Sequence, residues 1–166
     1  MPLAVTGFEF SLFLHITAVM VGFGATFAEA ITFPVAMKLD PRHLAYVHRL
    51  QLAINQWLTT PAMVVVLATG FYQVADQDEI FKLGDFWLSG TLTIVVIIGG
   101  LLGAYFIPTD RKLGAMIERE IAAAGEGEFK PSDEYLAKSR TEGIVGTITG
   151  LLLVAAVYLM VTKPGL

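Results

Sequence analysis

The sequence predicts an all-α, polytopic membrane protein whose four transmembrane helices form an antiparallel bundle. Of its 166 residues, 55% are hydrophobic and only 16% are charged, and its mean hydropathy of +0.66 is too apolar for an ordinary soluble domain. The apolar residues form four blocks, at about 9–34, 54–75, 86–107 and 142–162. Each block reaches the roughly 20 residues that cross a bilayer, so one four-helix domain over 1–166 accounts for the chain.

The first helix is expected over residues 9–34. Thr6-Gly7 suits a cap at its beginning, and its end is expected near Phe33-Pro34 or one turn beyond. The preceding MPLAVTGFE lacks the positive charge of a secretory leader, and the apolar block is too long for the core of one. We therefore expect this helix to remain in the mature protein.

The second helix is expected over 41–75, beginning outside the membrane and continuing into it without a break. Pro41 suits the first helical position, and apolar residues recur at helical spacing between 44 and 54. A bend is expected at Pro61, where Thr59 and Thr60 can satisfy the hydrogen bonds that the proline frees.

The third helix is expected over 86–107, from the boundary aromatic Trp87 to a stop at Pro108-Thr109-Asp110. Apolar periodicity after residue 110 predicts a short interfacial helix that Gly125 and Gly127 break. The fourth helix is expected over 142–162, so residues 108–141 are interpreted as a charged connection.

Glycines one turn apart occur on the last two helices and predict close helix packing. We expect them to pack helices 3 and 4 against each other, and the alternative is a dimerisation seam. They are Gly99 and Gly103 on helix 3, and Gly143, Gly146 and Gly150 on helix 4.

The basic residues predict the orientation of the chain. Nine of the eleven lysines and arginines fall in the two connections expected on one side, and only Lys82 and Lys163 fall on the other. Because basic loops stay cytoplasmic, we expect a multi-pass protein of the bacterial inner membrane with both termini outside. A net charge of −4 argues against nucleic acid as a partner. The chain has no cysteine, which excludes disulfides and thiolate metal sites.

His15 is the candidate for chemistry in the first helix, within FSLFLHITAVMVGFG at 10–24. Leu12, His15, Val19 and Gly22 fall along one stripe, which predicts an inward-facing imidazole that needs a partner. One interpretation is a hydrogen bond to a threonine, tyrosine or carbonyl of a neighbouring helix. The other is an axial ligand to heme b, with His15 as the metal ligand.

A second heme ligand would have to lie at the same depth on another helix. Met160 is the best of the candidates by atom type, and none is a histidine; they are Tyr72, Gln73, Thr91, Tyr158 and Met160. His43 and His48 are expected to be solvated or to face headgroups, far from His15.

Glu29 is the other charged residue inside an apolar block. It is expected to accept a hydrogen bond from Asn55 or Gln56 at the matching depth of helix 2. The alternative is a carboxylate in a proton relay. Motifs of common soluble enzymes, such as GxSxG, HExxH and the Walker loop, are missing from the sequence.

Four short segments together resemble a superfamily that includes the copper-resistance D proteins and the membrane-type protoporphyrinogen oxidases. They are LHI at 14–16, TTPAMVVVLATGFY at 59–72, FWLSGTL at 86–92 and TKPG at 162–165. The segment YFIPTDRKL at 105–113 is more similar to the uncharacterised predicted integral membrane members.

The resemblance implies heme b. In the oxidase branch a helix 1 histidine and a helix 3 lysine are tied to heme and activity, and His15 matches the histidine. Thr91 stands at the lysine position in Trp87-Leu88-Ser89-Gly90-Thr91-Leu92, which argues against the oxidase activity. The expected function is therefore heme b binding with a redox role. The alternatives are a non-catalytic subunit of a larger membrane complex or a homo-oligomer, and, less favoured without cysteine, copper handling.

Overall fold

The computed structural model describes residues 5–78 and 80–165. Within them lie four helices that are long and apolar enough to cross a membrane: α1 Gly7–Leu39, α2 Pro41–Asp76, α3 Phe86–Ala124 and α4 Asp133–Thr162. The predicted fold class, an all-α protein with four membrane-spanning helices, is confirmed.

The beginning of α1 has the expected cap. Thr6 Oγ1 accepts a hydrogen bond from the Glu9 N–H at 3.2 Å, and Glu9 Oε2 accepts one from the Thr6 N–H at 2.8 Å. Such reciprocal capping satisfies two backbone donors that a helix otherwise leaves free. The helix continues through Pro34 and ends at Leu39, beyond its expected limit.

The irregularity expected near Pro61 is a π turn over Asn55–Thr59 in the middle of α2. Thr60 Oγ1 donates a hydrogen bond to the Asn55 carbonyl at 2.7 Å, which already accepts from the Thr60 N–H and is not the carbonyl that Pro61 frees. For Thr59 the prediction is wrong, since its buried hydroxyl has no partner among the described residues.

The expected stop of helix 3 at Pro108 is wrong, because α3 continues through a second π turn, Leu102–Phe106, and ends only at Ala124. Gly125 has a φ of 62°, a conformation that favours glycine. Helix α4 begins at Asp133, earlier than expected, and Ser132 Oγ caps it by accepting from the Tyr135 N–H at 3.1 Å. Only residues 125–132 remain as the connection.

Helix α1 packs mainly on α2, and α3 packs on α4, while the first part of α2 also packs on the last part of α3. We call the end of the bundle with the α1–α2 and α3–α4 connections the basic end, and the opposite end the terminal end. Arg42 closes the basic end by donating from Nη2 to the carbonyls of Gly125 at 2.8 Å and Gly127 at 2.7 Å. At the terminal end, the Lys163 ammonium lies 4.6 Å from the centroid of the Phe81 ring.

The buried apolar core lies at the basic end and consists of Ala36, Leu44, Val47, Leu113, Ile117, Phe129 and Tyr135. Many large apolar side chains elsewhere on the helices are exposed, Phe13, Met20 and Val96 among them, although Trp87, Leu88 and Ile98 of α3 are buried. Exposed apolar side chains on helices of this length suit contact with lipid.

The predicted glycine packing of helices 3 and 4 holds only in part. A Cβ built at Gly146 would lie 4.0 Å from the Phe106 ring of α3. A Cβ built at Gly150 would lie 3.9 Å from the Phe27 ring of α1. A Cβ built at Gly103 or Gly143 would have no atom within 4 Å. The prediction is therefore wrong for Gly150 and for Gly99, whose nearest side chain is Met63 of α2, and for Gly103 and Gly143, which lie on open faces.

Candidate functional site

His15 lies in the interface between α1 and α2, where only 8% of it is exposed. Its Nδ1 atom is 2.9 Å from the Thr69 hydroxyl oxygen, so the prediction of an inward imidazole is confirmed. The buried stripe is Ser11, His15 and Ala18. Leu12 is exposed instead, which corrects the predicted stripe by one position.

The hydrogen bonds of Thr69 define the tautomer of His15. The Thr69 hydroxyl donates its only proton to the Val65 carbonyl at 2.6 Å, so toward His15 it can only accept. His15 therefore carries its proton on Nδ1 and leaves the lone pair on Nε2. Gly70 gives the ring space, since a Cβ there would come within 3.4 Å of His15 Cε1.

Two further polar residues extend this site toward the terminal end. Ser11 Oγ donates to the Thr69 carbonyl at 3.3 Å, and Gln73 Nε2 donates to Ser11 Oγ at 3.4 Å. Of the predicted partners of His15, the structure thus connects Gln73 to the site, through Ser11.

Thr91 and Met160 belong to the α3–α4 pair. Thr91 is buried, and its hydroxyl donates to the Trp87 carbonyl of its own helix at 2.7 Å. Met160 is half-buried on α4. Neither residue forms a hydrogen bond with His15 among the described residues. Tyr72 and Tyr158 are exposed.

A second buried site surrounds His48, a residue that we expected to be solvated. That prediction is wrong, because His48 is only 1% exposed. Its Nε2 lies 2.8 Å from Tyr135 Oη, and its Nδ1 lies 3.3 Å from Asp110 Oδ1. His43, for which the same was expected, is indeed exposed.

Carboxylates from two helices complete the site. Asp110 is 3% exposed, and its second oxygen accepts a hydrogen bond from Asn55 Nδ2 at 3.2 Å. One ligand atom each of His48, Asp110 and Glu142 lies within 4.8 Å of the other two. We call the five residues His48, Asn55, Asp110, Tyr135 and Glu142 the His48 cluster.

Glu29 of α1 lies close enough to this cluster for the charges of Asp110 and Glu142 to act on it. The expected hydrogen bond from Asn55 or Gln56 is absent among the described residues. Asn55 donates to Asp110 instead, and the buried Oε1 of Glu29 has no partner.

Four long apolar helices with polar side chains buried between them define a multi-pass helical membrane protein. The chain belongs to a family described as predicted integral membrane protein (DUF2269), whose model matches residues 10–164. It is thus a protein of the lipid bilayer, as its composition predicts. No curated protein and no solved structure matches the chain.

Proposed function

We propose that the protein binds heme b through His15 near the terminal end of the bundle and has a redox role. The observation that supports this is the tautomer of His15, with Nδ1–H donated to Thr69 and the Nε2 lone pair left for a ligand. Histidines that ligate metals commonly donate their other ring N–H in this way, which orients the ring and strengthens the ligand. Bound heme supplies one-electron redox chemistry.

The side chains around His15 have separate roles in this proposal. Thr69 orients the imidazole, and Gly70 leaves space beside it. If heme binds, the Met160 thioether would be a candidate second ligand, whereas the Thr91 hydroxyl is a poor iron ligand and already donates within its own helix. Without Met160, His15 alone would hold the heme, and more weakly.

We also propose that the chain is related to the superfamily described above and has the membrane orientation expected from its sequence. The motifs around His15 and Thr69 support kinship with the copper-resistance D and oxidase-like proteins. The nine basic residues near the α1–α2 and α3–α4 connections support a cytoplasmic basic end and outer termini in a bacterial inner membrane.

Absorption spectra of the full-length protein, expressed with heme supplementation and purified in detergent, test the function. We expect a Soret band in the wild type and in the control His43→Ala, since His43 is exposed, and no band in His15→Ala. Stoichiometric heme that persists in His15→Ala would exclude His15 as the ligand. A colourless wild type would exclude heme binding.

The second candidate function is a non-catalytic subunit of a larger membrane complex or of a homo-oligomer. The open faces at Gly100, Gly103 and Gly143 support it, because a Cβ built at any of them meets nothing within 4 Å. Such faces allow another helix to approach closely in lipid. Colourless protein that migrates in mild detergent as a defined larger assembly would favour this function.

A further inference from the structure

We propose that His48, Asp110 and Glu142 bind a divalent transition-metal ion at the basic end of the bundle. This site is separate from His15, which lies in the α1–α2 interface with Ser11, Thr69 and Gln73. It does not depend on the heme proposal.

The distances within the cluster suit one shared ion. Ligand atoms that bind a tetrahedral ion at about 2.0–2.2 Å lie roughly 3.3–3.6 Å apart. His48 Nδ1 and Asp110 Oδ1 are already 3.3 Å apart. The Glu142 carboxylate lies within 4.8 Å of both ligand atoms, so a small rotation of that side chain completes a three-residue site.

Two of the three ligands have an outer partner that holds them in place. Tyr135 Oη lies 2.8 Å from His48 Nε2, the nitrogen that would not bind the ion. Asn55 Nδ2 donates to Asp110 Oδ2, the oxygen that does not face His48. Metal sites in proteins typically have this second layer, and its loss weakens metal binding by about 10–100-fold.

The cluster also has several carboxyl groups that a cation can bind. Asp110 and Glu142 supply two of them, and Glu29 supplies a third nearby. Among the described residues, no lysine or arginine forms an ion pair with any of them. A buried carboxyl without a counterion takes up a proton, and a divalent cation replaces that proton when it binds the carboxylates.

An unpartnered hydroxyl supports the metal-bound arrangement independently. Ser139 is 8% exposed and lies beside the Tyr135 phenol, yet its Oγ makes no hydrogen bond of good geometry. When His48 binds an ion through Nδ1, its Nε2–H donates to Tyr135. The phenol proton is then free to turn to Ser139, which gives this buried hydroxyl a partner.

The ligand chemistry selects the kind of ion. One imidazole with two carboxylates suits Zn²⁺, Fe²⁺ or Mn²⁺, whereas Cu⁺ prefers sulfur and Mg²⁺ prefers oxygen and water. The π turn that begins at Asn55, and the one at Leu102–Phe106 just before Asp110, add to this argument, because π turns occur frequently at functional sites.

Equilibrium binding of Zn²⁺ to the full-length protein, purified without a polyhistidine tag and stripped with a chelator, tests the proposal. Elemental analysis after desalting should find one zinc per chain in the wild type. The controls His43→Ala and His15→Ala should match it, since neither residue belongs to the cluster. Retention by His15→Ala would also show that this site is independent of heme.

Variants of the His48 cluster should bind zinc more weakly than the wild type. Tyr135→Phe should weaken zinc binding by about 10–100-fold, and Glu142→Gln and His48→Ala should weaken it further. Circular dichroism and gel filtration identify any variant that fails to fold, and Glu142→Gln keeps the side-chain volume in case His48→Ala does. Absence of zinc from the wild type, or unchanged affinity in folded Glu142→Gln, would overturn the proposal.

Discussion

Replacing Thr69 by valine should destabilise the protein through His15. The substitution keeps the shape of the side chain and removes its hydroxyl, which lies 2.9 Å from His15 Nδ1 and 2.6 Å from the Val65 carbonyl. The Val65 carbonyl keeps its helical hydrogen bond within α2, so the group that loses its hydroxyl partner is the buried imidazole N–H, with the Val66 carbonyl as its remaining acceptor. Leaving a buried donor fully unsatisfied costs about 1–3 kcal/mol in soluble proteins, which is an upper limit here.

In a membrane the expected magnitude is smaller. Interhelical hydrogen bonds measured by double-mutant cycles there average about 0.6 kcal/mol and reach about 1.7 kcal/mol, because the unfolded chain in lipid also finds partners. We expect a coupling of about 0.6–1.7 kcal/mol between Thr69→Val and His15→Ala. This corresponds to a fall in Tm of roughly 2–6 °C for the single Thr69→Val variant.

The assay is thermal unfolding of the four proteins of the cycle in detergent. Thr91→Val is the matched control, because Thr91 is buried to the same degree and donates only to its own helix. It should show no coupling with His15→Ala. Equal effects of the two threonine variants, or zero coupling for Thr69, would refute the assignment of the hydrogen bond and of the tautomer.

Four further predictions concern the basic end and the topology. Ser139→Ala should raise the Tm of the metal-free protein, because it removes a buried hydroxyl without a partner; a lower Tm would contradict this. Arg42→Lys should lower the Tm, since one ammonium cannot replace a guanidinium that holds two carbonyls of the α3–α4 connection; an unchanged Tm would show that this contact is dispensable. Glu29→Gln should leave the Tm nearly unchanged, because Oε1 has no hydrogen bond to lose; a large fall would reveal an ion pair. A cysteine replacing the exposed Glu126 should resist a membrane-impermeant thiol reagent in whole cells, whereas one replacing Asp78 should react; the reverse pattern would invert the orientation.

The four spanning helices are predictable because hydrocarbon imposes a simple requirement. Every backbone polar group must be satisfied within the helix, so length and apolar composition alone indicate where the chain crosses. The N-cap of α1 is predictable for a similar local reason, since Thr6 and Glu9 are three positions apart. The inward position of His15 follows from the cost of an imidazole in lipid, but periodicity did not identify Thr69 among several polar residues at that depth.

The His48 cluster was missed because its partners lie in segments that the sequence assigned to a connection. Asp110 was expected to end a helix, and Tyr135 was expected in a loop. A signal for burial was nevertheless present in α2. Val47 and His48 lie three and four residues after Leu44. His48 therefore lies on the same buried face as these two core residues.

The two π turns, each of which lies just before a proline, also made the His48 cluster difficult to predict from the sequence. Pro61 follows the π turn Asn55–Thr59, and Pro108 follows Leu102–Phe106 at the same spacing. A proline has no N–H and its ring clashes with the carbonyl four residues earlier. A wider turn relieves that clash without ending the helix.

The extra residue in a π turn has a consequence for every position beyond it. One residue turns an α-helix by about 100°, so a 3.6-residue pattern carried across Pro61 or Pro108 assigns the following residues to the wrong face. Asp110 follows such a turn in α3, and Asn55 begins one in α2, yet their side chains meet at 3.2 Å. From the sequence, Pro61 is interpreted as a bend and Pro108 as a stop. The helical pattern that predicts the membrane spans therefore fails to predict the His48 cluster between them. A search for buried sites in this family should therefore allow one inserted residue before each proline when it assigns polar residues to helix faces.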